Sequence, residues 1–215
     1  MTMSGHASIP WSEMKRPLIA ILRGIRPHEA EAVTAALIEA GFEAIEIPLN
    51  SPDPFASIET AAKLAPGRCL IGAGTVLAPE QVDALAAAGG RLMVSPNVEP
   101  QVIARATAHG MVSMPGIFTA TEALLALRAG ASGLKFFPVS ALGPGGITAI
   151  RAVLPESVAI CAVGGISEAD FAAYAAAGIR CFGLGSSLYR PGASAADVGA
   201  KARTAIAAYD AAFGS

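Results

Sequence analysis

The sequence has few charged residues, few aromatic residues and no long hydrophobic run. Charged residues make up 15% and aromatic residues 6% of the 215 residues, and the formal net charge is −2. So small a net charge argues against a nucleic-acid partner or an anionic membrane surface. Apolar residues reach 53%, but Gly, Pro and charged residues divide them into runs too short to span a membrane. The composition therefore predicts a protein with a large buried core and no membrane partner.

Cysteine and histidine are scarce and have no ligand spacing. The three cysteines, Cys69, Cys161 and Cys181, lie far apart in apolar runs. An odd number without motif spacing predicts buried, reduced thiols in a cytoplasmic protein, in preference to a disulfide or a zinc site. None of the three histidines has metal-ligand spacing with another His or a Cys. We therefore expect no metal requirement.

Short strand-like runs recur every 20–26 residues, roughly the length of one strand, loop and helix, and each is followed by an Ala- and Leu-rich helical stretch. Such alternation predicts a parallel sheet with helices outside, and eight units close into a (β/α)₈ TIM barrel. An open doubly wound sheet is the alternative, but the turn after the first strand lacks the glycine-rich nucleotide pattern. The predicted strands are Leu18–Leu22, Glu43–Ile47, Arg68–Ile71, Leu92–Val94, Val112–Met114, Gly133–Phe137, Val158–Val163 and Ile179–Leu184.

The chain divides into a short N-terminal lead and one domain. Residues 1–14 have no basic n-region and no apolar h-region, so they do not resemble a secretory signal. We expect them to form a flexible lead or a cap on the barrel floor, with Trp11 packed underneath. Residues 15–215 are predicted to form the barrel.

Two of the ionisable residues in the predicted strands, Lys135 and Glu46, occupy positions where a core is expected. Lys135 is one of only four lysines and occupies the middle of the sixth predicted strand. Because strand side chains alternate between faces, Lys135 and Phe137 should point into the barrel if Leu134 faces the helices. Glu46 should point inward from the second strand. A buried amine has a lowered pKa and can form a Schiff base with a ketone. Mutual neutralisation of the two charges is the structural alternative.

Glycine clusters follow the seventh and eighth predicted strands. They are Gly164-Gly165-Ile166-Ser167 and Gly183-Leu184-Gly185-Ser186-Ser187. Glycine lets backbone N–H groups approach an anion closely, and these two loops are the common phosphate site of such barrels. Tight βα turns would give the same pattern. Other polar or shape-determining residues at strand ends could hold a carboxylate or form the pocket wall: Arg23, Thr75, Pro96 and Pro115.

Together these residues resemble the class I aldolases of 2-keto-3-deoxy-phosphosugar acids. The resemblance runs from about residue 17 to residue 190, through the segments AILRGI, EIPLNSP, IGAGTV, VSPN, MPGIFTATEAL, LKFFP, AVGGIS and GLGSSLYRPG. It implies a Schiff base on Lys135, with Glu46 as general acid/base and no cofactor. It also implies Thr75, Pro96 and Phe137 around a pyruvyl group, and Gly165, Gly185 and Ser186 at a phosphate. A homotrimer is the assembly it suggests.

Two positions distinguish branches of this family. The gluconate branch typically has an arginine where this chain has Asn50, and a threonine where it has Val163. Both departures resemble the branch that acts on the galactonate epimer, and they make Arg23 the expected partner for substrate charge. Since the epimers differ at C4, Val163 is expected near that carbon, and the adjacent Gly164 is expected to bind substrate as part of the glycine cluster.

The alternatives from other functional classes are a sugar-phosphate epimerase, a thiamine-phosphate-synthase-like barrel and a non-catalytic phosphosugar sensor. The epimerase and the synthase would share the glycine clusters but would need no lysine midway along the sixth strand. The sensor would bind ligand without turnover.

Overall fold

The computed structural model describes residues 11–214, which form a barrel of nine parallel strand segments surrounded by eight α-helices. The strands are β1 Leu18–Ile21, β2 Ala44–Pro48, β3 Leu70–Gly74, β4 Leu92–Val94, β5 Val112–Met114, β6 Gly116–Ile117, β7 Gly133–Phe136, β8 Ala159–Val163 and β9 Cys181–Leu184. The helices are α1 Pro27–Ala40, α2 Pro54–Leu64, α3 Pro79–Ala87, α4 Pro100–Ala108, α5 Ala120–Arg128, α6 Val139–Arg151, α7 Phe171–Ala176 and α8 Ala195–Phe213. Short 3₁₀ turns occupy Trp11–Glu13 and Glu168–Asp170. Over the described range, no helix has both the length and the apolar character needed to cross a bilayer.

The predicted TIM-barrel fold is confirmed, with one strand divided in two. The sheet order is β5-β4-β3-β2-β1-β9-β8-β7-β6. The two edge strands, β5 and β6, follow each other in the chain and are separated by Pro115. Proline has no N–H to donate, which interrupts the ladder after Met114. The backbone N–H of Lys135 donates to the Pro115 carbonyl at 3.0 Å, and Gly116 pairs with Lys135 in register. The fifth predicted strand therefore continues, as β6, beyond the end we assigned to it.

Alternation along the strands separates an outer core from an inner core, as the sequence predicted. Ile45, Ile47, Leu134 and Phe136 are buried in the layer between strands and helices. The inner core contains apolar side chains from the opposite face of the strands, including Ile19, Leu70, Leu92, Val112 and Met114. The barrel is therefore filled with apolar side chains, above which the charged residues at the strand ends are held.

Trp11 and Met14 belong to the inner core and close it at the amino-terminal ends of the strands. Their side chains are 7% and 8% exposed. Residues 1–10 lie outside the described residues, so the lead and its boundary at residue 14 stay predictions.

The expectation of three reduced thiols was wrong: Cys161 and Cys181 form a disulfide, and Cys69 is a free, buried thiol. Cys161 pairs with Cys181 in register on β8 and β9, with a Cα–Cα distance of 4.3 Å. Facing positions on adjacent strands point both side chains into the barrel, a proximity that spacing along the chain does not reveal. Burial raises the pKa of the Cys69 thiol to about 12. The pairing removes the support that reduced thiols gave to a cytoplasmic location.

Candidate active site

A cavity of about 180 Å³ lies at the carboxyl ends of the strands, where barrel enzymes carry their chemistry. Eleven of the site residues expected from the sequence line it: Arg23, Glu46, Thr75, Pro96, Lys135, Phe137, Val163, Gly164, Gly165, Gly185 and Ser186. Pro115, the other candidate for the pocket wall, does not line this cavity. The eleven lining residues come from loops and strands on all sides of the barrel. The structure therefore brings them together at one place.

Lys135 projects into the cavity from β7. Its side chain is only 7% exposed, and its Nζ lies 4.8 Å from the centroid of the Phe137 ring. Burial lowers the pKa of this amine, and the nearby Arg23 charge lowers it further, while Glu46 acts in the opposite direction. A larger neutral fraction of the amine is what nucleophilic attack on a carbonyl requires.

Glu46 reaches the same cavity from β2 and is 3% exposed. Burial raises the pKa of its carboxyl group, whereas the charges of Lys135 and Arg23 hold it down. Its Oε2 has no hydrogen-bond partner among the described residues, and within that range no ion pair joins Glu46 to Lys135. An unpaired buried carboxylate is costly. This oxygen is therefore available to a ligand proton.

Gly74 has no side chain, and the Glu46 carboxylate occupies the space that a side chain there would fill. A Cβ built at Gly74 would lie 1.7 Å from Glu46 Oε2, a distance no side chain could tolerate. The next residue, Thr75, has a φ of 58°, in the left-handed region that non-glycine residues seldom adopt. Such conformations cost energy and concentrate at functional sites. The end of β3 is thus built around the carboxylate and the cavity.

Arg23 stands at the mouth, in the loop after β1. Its Nη1 donates to Asn50 Oδ1 at 2.8 Å, so its partner is a neutral amide. The guanidinium charge is therefore held in place without being cancelled. The sequence analysis identified Asn50 as a departure from the gluconate branch, but it did not predict this hydrogen bond.

Two glycine loops line the side of the cavity formed by β8 and β9. Gly164 and Gly165 have φ values of 95° and 82°, and any Cβ there would collide with the neighbouring loop after β7. A Cβ at Gly185 would meet no protein atom within 4 Å. We call Gly164, Gly165, Gly185 and Ser186 the cradle. Glycine at these positions lets backbone N–H groups approach an anion closely.

Three lining residues were given no site role by the sequence analysis: Ile21, Ile166 and Gly183. Alternation along β1 places Ile21 on the inner face, so its position could have been found. Gly183 was part of a quoted cluster, and its reason is steric: a Cβ there would lie 2.8 Å from the Val163 side chain. Ile166 lies in a loop whose path no periodicity describes.

A second cavity, of about 310 Å³, opens at the opposite end of the barrel beside Trp11, Met14 and Tyr209. It has neither the amine nor the carboxylate, although it is larger than the cavity at the strand ends. Within residues 11–214, no three His, Cys, Asp or Glu side chains are grouped as metal ligands would be.

Known proteins are similar to this chain in sequence and in fold. The chain is 70% identical to a "Probable 2-dehydro-3-deoxy-6-phosphogalactonate aldolase" of Rhizobium meliloti (strain 1021), over 96% of this chain and 97% of that one. It is 52% identical to the "2-dehydro-3-deoxy-6-phosphogalactonate aldolase" of Escherichia coli (strain K12), over 92% and 96%. The "KHG/KDPG aldolase" of the same strain is more distant, at 31% over 78% of each.

A solved structure described as "Native KDPGal structure" superposes with a TM-score of 0.91, at 51% identity, covering 94% of this chain and 98% of that one. The family model for KDPG and KHG aldolase matches residues 12–200, most of the chain. This chain belongs to the KDPG and KHG aldolase family.

Proposed function

We propose that the protein is a class I aldolase that cleaves 2-dehydro-3-deoxy-6-phosphogalactonate to pyruvate and D-glyceraldehyde 3-phosphate. The observation that carries the proposal is the burial of the Lys135 amine and the Glu46 carboxylate against one cavity, on opposite sides of the barrel. The names of the relatives at 70% and 52% identity support the substrate.

The first half of the reaction forms an imine. Neutral Lys135 attacks the C2 ketone to give a carbinolamine. The carbinolamine hydroxyl takes a proton from the Glu46 carboxyl and leaves as water, which gives the protonated imine and the Glu46 carboxylate. The lowered pKa of Lys135 increases the fraction of amine that can attack. Thr75, Pro96 and Phe137 surround the pyruvyl part of the substrate, and Arg23 neutralises substrate charge.

The second half breaks the C3–C4 bond. Glu46 removes the proton from the C4 hydroxyl, the bonding electrons pass into the imine, and glyceraldehyde 3-phosphate leaves. The enamine then takes at C3 the proton that Glu46 removed from the C4 hydroxyl, and hydrolysis of the imine releases pyruvate and the free amine. The protonated imine keeps a positive charge near Glu46, which favours the carboxylate form that the base step needs. The cradle binds the phosphate and positions the substrate.

We assign discrimination between the epimers to the part of the cavity wall that faces substrate C4. Val163 there offers no hydroxyl, and Asn50 takes the place of the arginine that is typical of the gluconate branch. A 2-dehydro-3-deoxy-6-phosphogluconate aldolase is the alternative within the family. The greater distance of the "KHG/KDPG aldolase" relative supports the galactonate assignment.

A coupled assay with both epimers tests this proposal. We expect the wild-type enzyme to release pyruvate faster from the galactonate epimer, and Lys135→Ala to release none. Lys63→Ala is the matched control, because Lys63 is an exposed lysine paired with Glu59 on α2. Binding of both epimers without turnover would instead support a phosphosugar sensor. Full activity in Lys135→Ala would reject the mechanism.

The remaining assignments concern assembly, cofactor and location. We expect a homotrimer, for which exposed apolar side chains such as Leu77 and Phe118 offer contact surface. Light scattering would check this. The Schiff-base route needs no metal, so turnover is expected to withstand a chelator. A cytoplasmic location remains a prediction from the sequence.

A further inference from the structure

A third cavity, of about 350 Å³, adjoins the candidate active site. We call it the annex. It shares Ile21, Arg23, Gly185 and Ser186 with the active-site cavity, but Lys135 and Glu46 do not line it. Its other walls are Gly24, Tyr189, Arg190 and Pro191. The annex therefore lies on the cradle side of the active site, away from the reacting amine.

Arg190 gives the annex a positive charge beside the cradle. Its Nε donates to the backbone carbonyl of Ser186 at 3.4 Å, which holds the guanidinium next to a cradle residue. Within residues 11–214, no carboxylate forms an ion pair with Arg190. Because the side chain is also exposed, most of its donors remain available to an anion.

The loops that carry Arg190 and Arg23 lie close together. A Cβ at Gly24, which has a φ of 84°, would lie 2.8 Å from Pro191 Cγ. Glycine at position 24 therefore lets the loop after β1 approach the loop after β9 closely. Tyr189 packs beneath the annex at 3% exposure. The annex wall is thus a defined surface with an arginine on each side.

The cradle itself offers only neutral donors, namely backbone N–H groups and the Ser186 hydroxyl. A phosphate monoester carries about −1.5 to −2 charges at neutral pH, and arginine matches its oxygens with paired donors. We propose that Arg190 is a further phosphate-binding residue, whose guanidinium contacts the substrate phosphate from the annex side of the cradle. This role rests on the proposed function, since the phosphate is that of the aldolase substrate.

The test compares Arg190→Gln and Arg190→Lys with Arg203→Gln, which removes an exposed arginine on α8. In Arg190→Gln we expect KM for the phosphorylated substrate to rise about tenfold to a hundredfold, with little change in kcat. Arg190→Lys should recover part of the loss, because it restores charge without the paired donors. Arg203→Gln should match the wild type.

Two further measurements separate phosphate binding from chemistry. Calorimetric titration with inorganic phosphate should give a weaker Kd for Arg190→Gln than for Arg203→Gln. Exchange of the pyruvate methyl protons with D₂O, which needs the imine but no phosphate, should proceed at the wild-type rate in every variant. An unchanged KM and an unchanged phosphate Kd in Arg190→Gln would overturn the proposal. It would also be overturned if Arg190→Gln slowed proton exchange as much as it slowed substrate cleavage. Absence of exchange in the wild type would instead refute the aldolase function, while the phosphate titration would still test Arg190.

Discussion

Replacing Gly74 by alanine tests whether catalysis depends on the position of the Glu46 carboxylate. The φ of Gly74 lies outside the left-handed region, so the backbone accepts an L-residue there. The new methyl group, however, would lie 1.7 Å from Oε2 and 2.6 Å from Cδ of Glu46. Reaching even a 3.0 Å contact requires the carboxylate to withdraw by about 1.3 Å. A misplacement of this size costs roughly a hundredfold in rate when the displaced group acts in the chemical step.

The assay is kcat for pyruvate release at saturating substrate, beside thermal unfolding of the same preparations. Gly67→Ala is the matched control, since a Cβ there has no protein atom within 4 Å. We expect Gly74→Ala to lose about a hundredfold in kcat, while reduction with borohydride still traps pyruvate on the unchanged lysine. A kcat within twofold of the control, in a folded protein, would refute the reasoning.

Three further substitutions address charge, specificity and phosphate. Arg23→Gln should raise the pKa of both Glu46 and Lys135, because the Arg23 charge lowers both. The acidic limb of the kcat/KM profile should therefore move to higher pH, and an unmoved limb would contradict this. Val163→Thr should raise the gluconate-to-galactonate ratio of kcat/KM by roughly twofold to tenfold, because the threonine hydroxyl adds one hydrogen bond near C4. An unchanged ratio would count against the assignment of Val163 to the C4 wall. Gly185→Ala should fill open cradle space and raise KM by about tenfold, whereas thermal unfolding should not change.

Local pattern was sufficient to predict the barrel and to place Glu46 and Lys135 in the candidate cavity. Alternation of apolar residues placed Ile45 and Leu134 on the outer face, which left Glu46 and Lys135 inside. The ends of parallel strands converge at one edge, so residues far apart in sequence could be assigned to one cavity.

Features that depend on spatial register were not predictable in this way. The pairing of Cys161 with Cys181 follows from the alignment of β8 with β9, which no spacing along one strand encodes. The Arg23–Asn50 hydrogen bond likewise depends on where two loops end in space. The clearance that Gly74 provides for Glu46 is set by side-chain packing across adjacent strands. Each requires three-dimensional distances that hydrophobic periodicity does not contain.

The central claim is that Lys135 forms the covalent bond to substrate. Incubation with pyruvate and borohydride, followed by peptide mass spectrometry, tests it most directly. We predict one reduced adduct, on the peptide containing Lys135, with the exposed Lys63 unmodified. Two results would contradict the account. One is an adduct found only on surface lysines, and the other is no adduct in a preparation that cleaves the substrate and releases pyruvate.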